Sequence, residues 1–332
     1  MAERTAESVR SGGRLQARRL TWIRLVLIVT ALAVVVALLW IPTRPNVTLA
    51  FWFTLLKFLI LAQSMNIIAG YAGYVDFGHV AFFGLGTYAA GIMLWRFHLD
   101  RLVVISPVVA GVATALIAAV VGLPVLRLRG AYFAIAMLSF NESMRVLMLN
   151  VPRSIAGGVY GIPYPRIHNP TAAYYGIVSL AVLITAGTYF LATSRFGVAL
   201  KAIREDEDAA SVMGINTTRY KVAAFAISAF FAGAVGGLDF WFTAYTSPEL
   251  VFNTPMTVEM LAMMMFGGAG TTLGPVIGAT SLYVLRDKLW YNYPFIYLII
   301  FGGILAAVVL VMPRGVLGLI EDRIPALRAK IK

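Results

Sequence analysis

Ten runs of apolar residues, most of them about twenty long, recur at about 22–41, 48–69, 77–95, 102–122, 130–150, 172–192, 220–242, 255–267, 274–289 and 293–312. A helix needs roughly 20 such residues to cross the ~30 Å hydrocarbon core of a bilayer. With no water inside the membrane, only helices and closed barrels satisfy their backbone groups there. Runs of this length therefore predict helices. Composition closes off the soluble alternative: 60% of the chain is apolar and 13% is charged, about half the charge of an ordinary soluble domain. So few charges could not cover a water-soluble core holding that much apolar surface. The expected fold class is all-α, a polytopic integral membrane helix bundle of about ten transmembrane segments. The 255–267 and 274–289 runs are short and meet at Gly267, Gly268, Gly270, Gly274 and Pro275. Short, Gly/Pro-interrupted segments read as broken or half helices, here with a hinge between them.

The net charge of +12 is explained by topology, with no call for nucleic acid. Six arginines (Arg4, Arg10, Arg14, Arg18, Arg19 and Arg24) precede or open the first run. That run is too long for a signal-peptide core and lacks a small-residue cleavage site, so it reads as a retained span. The Arg18–Arg19 pair matches a twin-arginine signal in nothing that follows it. With ten crossings and the N-terminus inside, eighteen of the 27 cations fall in cytoplasmic segments and seven in outer ones. Both ends are expected in the cytoplasm. The organisation is then a basic tail at 1–21, a transmembrane domain at 22–320 and a C-terminal tail at 321–332. The chain has no cysteine, hence no disulfide and no thiolate metal site. His79, His98 and His168 are scattered without ligand spacing, so neither a metal nor a membrane-embedded enzyme is expected.

One cytoplasmic loop, 193–219, is amphipathic and mixed in charge. Arg204, Glu205, Asp206, Glu207 and Asp208 stand together, and Ala209 and Ala210 follow. Gly214 suits a left-handed helix stop, and Asn216 or Thr217 suits the cap of the next helix. Two readings stay open: a solvated connection, or a docking element whose short helix enters a partner's cleft.

Asp208-Ala209-Ala210-x-x-x-Gly214 resembles the acid-Ala-Ala-x-x-x-Gly loop that permeases of bacterial ABC importers insert into their ATPases. The wider run from Ser194 to Leu238 is similar to permeases of branched-chain amino-acid importers, specifically the longer of two paralogues. Gly70–Gly91, Leu126–Arg145, Met263–Ala279 and Met312–Leu319 resemble that family's other signatures in the same order.

The resemblance implies a multi-pass permease subunit in a bacterial inner membrane, surrounded by lipid, for branched-chain amino acids or related small solutes. It implies four kinds of contact: a second paralogous permease, two cytoplasmic ATPase subunits, an extracytoplasmic solute-binding protein, and coupling through the 193–219 loop. ATP and Mg belong to the ATPases, and no cofactor is expected in this chain. In agreement, no G-x-x-x-x-G-K-[ST] motif occurs.

Ionisable residues within spans are functional candidates by default. Asp76 and His79, three apart, either line a translocation path or are structural, with Asp76 at the membrane surface and His79 a hydrogen bonder. The family usually carries Gln and Ser where this chain has Tyr74 and Asp76, a departure that bears on the solute. Glu142 and Arg145 predict an intrahelical pair, structural or gating, with Asn141 free to bond a neighbouring helix. Lys57 is expected to snorkel or to pair with an acid on another span, and Asp239 and Glu259 to be interfacial. The alternative to an ATP-driven importer is a self-sufficient proton-coupled transporter using Asp76, His79, Glu142 and Arg145 as a relay.

Overall fold

The computed structural model describes residues 36–43, 48–293 and isolated positions between 296 and 315. The tails at 1–21 and 321–332, most of the 22–41 and 293–312 runs, and all of the 312–319 signature but Gly315 lie outside the described residues. The chain divides into two units, Met1–Leu49 and Ala50–Lys332. In the first, residues 36–40 are helical and lead into a 3₁₀ turn, Ile41–Thr43.

The second unit is a helix bundle. In order come α1 (Leu49–Met65), running on through a π-helical turn at Asn66–Tyr71, then α2 (His79–Phe97), α3 (Ser106–Val125) and α4 (Ala131–Asn150). They are followed by α5 (Pro170–Thr193), the short pair α6 (Arg195–Glu205) and α7 (Glu207–Val212), and α8 (Thr217–Thr243). The series closes with α9 (Thr254–Gly267) and α10 (Gly274–Asn292). Among the described residues, strand is confined to a two-residue antiparallel ribbon, β1 (Ile162–Pro163) with β2 (Tyr245–Thr246).

Among the described residues six helical stretches are long and apolar enough to cross a membrane: Leu49–Tyr71, His79–Phe97, Ser106–Val125, Pro170–Thr193, Thr217–Thr243 and Pro248–Gly267. They account for six of the ten expected spans. The 130–150 and 274–289 runs are helical as α4 and α10, but they are not among the six. The first carries two charges, Glu142 and Arg145, and the second three, Arg286, Asp287 and Lys288.

α8 is the centre of the bundle, packed on α2, α3 and α5. Lipid supplies no hydrophobic drive for helices to associate, so close approach of small residues does that work. Thr114 on α3 donates to Ala229 O on α8 at 3.0 Å. A Cβ at Gly237 would stand 2.8 Å from Pro107 Cα, and one at Gly233 would run into the Thr114 side chain. Gly233→Leu is therefore expected to separate α8 from α3 and to cut the yield of monodisperse protein at least ~5-fold in detergent size exclusion. A Cβ at Gly187 on α5 would meet nothing within 4 Å, and Gly187→Leu is expected to leave that yield unchanged. α3 turns Val108, Val112, Leu116 and Val120 outward at a four-residue spacing, a lipid-facing stripe.

Consecutive long helices alternate in direction. The loop after the π turn, the 126–130 turn, α6–α7 and the 268–273 loop gather at one end, joined by hydrogen bonds. Leu99–Ile105, the 151–169 connection, the ribbon and the single-turn helix Pro248–Val251 lie at the other.

Candidate functional site

The charged loop is built by capping. Ser194 Oγ accepts from Gly197 N at 3.2 Å to start α6. Asp206 Oδ1 accepts from Asp208 N and Ala209 N, both at 2.9 Å, to start α7. Gly214, at φ +85°, ends it, and Asn216 Oδ1 accepts from Arg219 N at 3.1 Å to start α8. α6 buries Ala199, Leu200 and Ile203, and α7 buries Ala210, against the bundle. At the tip, Val212 and Met213 are 88% and 83% exposed. Two exposed apolar side chains on a charged loop are free to meet a partner, and nothing in their local sequence singles them out.

The four acids do different things. Asp206 is a cap, and Glu205 is exposed. Asp208 takes a two-point bond from Arg129, with Nη2 at 2.7 Å and Nη1 at 3.1 Å. Glu207 receives Lys221 Nζ at 2.5 Å and Tyr74 Oη at 2.7 Å, with Arg129 Nε at 3.4 Å. Lys221, nearly enclosed, also donates to Leu126 O at 2.8 Å. Burial alone would raise the Glu207 carboxyl, but the Lys221 and Tyr74 hydrogen bonds and the Arg129 charge hold it below the usual carboxylate range. The Arg129 hydrogen bond likewise lowers Asp208. The clasp thus stays charged through the physiological range, and its stabilisation fades only as acid protonates the two carboxylates. Tyr74, Arg129 and Lys221 carry no local signal that would have paired them with the loop.

Arg204, last but one in α6, reaches inward. Its Nη1 donates to Gly70 O, within the π turn, at 2.6 Å. Beside it lies the break between α9 and α10. α9 stops at Gly267, Gly268 and Gly270 take φ of +124° and +78°, and α10 starts at Gly274 with Pro275 in its first turn. Thr271 Oγ1 donates to Gly268 O at 2.7 Å and accepts from Gly274 N at 3.0 Å. Asn66 grips the loop twice: its Nδ2 donates to Thr271 O, and its Oδ1 accepts from Gly270 N, both at 2.8 Å.

Asp76 and His79 are both fully buried within the protein. Asp76 Oδ2 lies 3.1 Å from His79 Nδ1, and Asp76 Oδ1 accepts from Gly78 N at 2.9 Å. His79 Nε2 lies 2.8 Å from Ser64 Oγ, and Ser228 Oγ donates to Ser64 O at 2.5 Å. Glu142 and Arg145 form the expected pair, and Arg145 Nη1 also meets Glu249 at 2.6 Å. They lie on an exposed face of α4 with Ser139, Ser143, Val146 and Asn150. No hydrogen bond or ion pair joins the Asp76–His79 pair to the Glu142–Arg145 pair among the described residues, as a proton relay through all four would need. Asn141 Nδ2 bonds Phe252 O at 3.1 Å, tying α4 to the 248–253 segment.

Two further ion pairs cross between spans. Lys57 Nζ meets Asp239 Oδ1 at 2.9 Å, and Arg286 Nη1 meets Glu259 Oε2 at 3.2 Å. Asp239 and Glu259 keep little side-chain exposure, 11% and 14%, beside these partners. Among the described residues no group of three or more His, Cys, Asp or Glu could hold a metal.

Six helices long and apolar enough to cross a bilayer and an outward apolar stripe on α3 define a polytopic membrane protein. The chain belongs to the family described as branched-chain amino acid transport system / permease component, whose model matches residues 47–312. It is 28% identical over 290 residues to the high-affinity branched-chain amino acid transport system permease protein LivM of Salmonella typhimurium, covering 78% of this chain and 67% of that protein. It is 25% identical to the probable LivM permease of Methanocaldococcus jannaschii, covering 73% and 81%. The LivH permease of Escherichia coli is 26% identical, covering 79% and 91%. No solved structure matches the chain.

Proposed function

We propose that this chain is one of two permease subunits of an ATP-driven importer for branched-chain amino acids or closely related small solutes. Its second permease is a paralogue, its ATPases dock on the 193–219 loop from the cytoplasm, and a binding protein delivers solute on the opposite side. The observation that carries the reading is the family match across 47–312, taken with a loop whose residues are clasped to the bundle while Val212 and Met213 face outward.

The site follows from that assembly. Arg204, Glu205, Asp206, Glu207, Asp208, Ala209, Ala210 and Gly214 couple to the ATPases as a mechanical contact, with no chemistry of their own. Gly267, Gly268, Gly270, Gly274 and Pro275 are the hinge. The exposed face of α4 with Glu142 and Arg145 lines the path against the second permease, because lipid is a poor neighbour for Ser139, Glu142, Ser143 and Asn150 together. Asp76 and His79 reach the path only if α1 and α2 part during transport. The membrane is the bacterial inner membrane, with both termini cytoplasmic, as the distribution of Lys and Arg supports.

The test is purification of the tagged chain, co-expressed with its neighbouring reading frames, followed by leucine uptake in proteoliposomes. The expected result is co-purification of ATPase subunits and uptake that requires ATP. Uptake by this chain alone, driven by a pH gradient without ATP, would overturn the proposal.

A further inference from the structure

Polar side chains deep in an apolar bundle are costly unless each meets a partner. α1 is apolar from Leu55 to Ala62 except for Lys57, and then presents Gln63, Ser64 and Asn66 in quick succession. All three are fully buried. Two of them hold the loop that breaks α9 from α10. Gln63 Nε2 donates to Thr272 O at 3.3 Å, while its Oε1 accepts from Thr185 on α5 at 3.1 Å. Asn66 holds Gly270 N and Thr271 O. At Asn66 the helix widens into the π turn, a rare form that recurs at functional positions. Gly70 at its far side gives its carbonyl to Arg204. Three groups converge there: a Cβ on Gly70 would stand 2.6 Å from Gly270 N, and one on Gly270 would stand 2.7 Å from Arg204 Nη1. The contact closes only with glycine on both sides and a long, forked donor between them.

We propose that Arg204, the Asn66–Tyr71 π turn and the two-point grip of Asn66 form a strut linking the cytoplasmic α6–α7 pair to the α9–α10 break. A push on the loop is delivered to the hinge through hydrogen bonds of fixed direction, where contact between apolar surfaces would slip. Arg204 and Asn66 are positioning residues, touching neither solute nor nucleotide. The strut rests on the importer reading, because a partner ATPase must supply the push.

The absence of cysteine makes a clean reporter available. Leu273, at the start of α10 and 41% exposed, is replaced as Leu273→Cys in the full importer complex. Maleimide labelling is then timed with and without ATP plus vanadate. Vanadate trapping is expected to change the labelling rate at least ~3-fold. Arg204→Ala and Asn66→Ala should each abolish that change, and with Asn66→Ala, which lies outside the docking loop, ATPase subunits should still co-purify and hydrolyse ATP within ~2-fold of the parent. Arg204→Lys, which keeps a donor, should retain part of it, and the Arg204→Ala, Asn66→Ala double variant should be no worse than either single. The proposal is overturned if labelling responds equally in both alanine variants, or if it does not respond in the parent complex. Should Asn66→Ala fail to assemble, the contrast between Arg204→Ala and Arg204→Lys decides alone. Failure of the parent chain to bring down any ATPase would instead sink the importer reading, and the strut with it.

Discussion

Replacing the apolar tip of the loop, Val212→Asp with Met213→Asp, is expected to strip the ATPase subunits from the purified importer and leave the bundle intact. Both side chains stand almost wholly in solvent, so the folded permease loses nothing by their removal. A docking site gains most from anchors of this kind, which vanish into a pocket on the partner. Two anchors worth ~2 kcal/mol each, replaced by charges that must be desolvated, imply a loss of at least ~100-fold in affinity. Recovery of ATPase should fall below about a tenth of the parent, with detergent size exclusion of the permease pair unchanged. Full recovery of ATPase with the double aspartate variant would move the docking surface elsewhere.

Lys221→Met should destabilise the chain more than any other single change at the clasp. The ammonium serves Glu207, Tyr74 and Leu126 O at once, at 2.5, 2.9 and 2.8 Å. Removing one partner of an enclosed ion pair costs ~3–5 kcal/mol. Here Arg129 remains near Glu207, whose side chain keeps 16% of its exposure, so ~2–3 kcal/mol is the better figure. That corresponds to a drop of roughly 3–4 °C in the unfolding temperature. Adding Glu207→Gln should recover part of the loss, because the uncompensated carboxylate goes with it. A shift below ~1 °C, or a double variant that merely adds the two losses, would show that the cluster is not a coupled unit.

What could be read from the chain beforehand was local. Gly214 and Asn216 announce the end of one helix and the start of the next, and both do so. Glu142 and Arg145, three apart, meet on one turn, and the glycines from 267 to 274 break a helix where they cluster. Lys57 asked for an acid on another span and finds Asp239. Pairings that close only through tertiary structure stayed hidden. Tyr74 lies 133 positions from Glu207, and Asn66 lies 204 from Gly270. The departure from the family at Tyr74 and Asp76 also takes on a structural meaning. Tyr74 braces the clasp and Asp76 orients His79, so neither side chain is free as placed. The partner of Glu259 was hidden for the same reason, since Arg286 is on the far side of the helix break.

Ser64, His79 and Asp76 stand in hydrogen-bond series, hydroxyl to imidazole to carboxylate, at 2.8 and 3.1 Å. That is the constellation by which acyl-transfer enzymes are recognised. In this protein it is sealed: all three side chains have no exposed surface, and the Leu61 carbonyl competes with the imidazole for the one hydroxyl proton. A nucleophile needs an approach for its electrophile and donors aimed at the oxyanion that forms, and a side chain with no exposed surface offers no such approach. The same three groups that would cut an ester in an open cleft serve here as a polar rivet joining the end of α1 to the start of α2 and the loop between them.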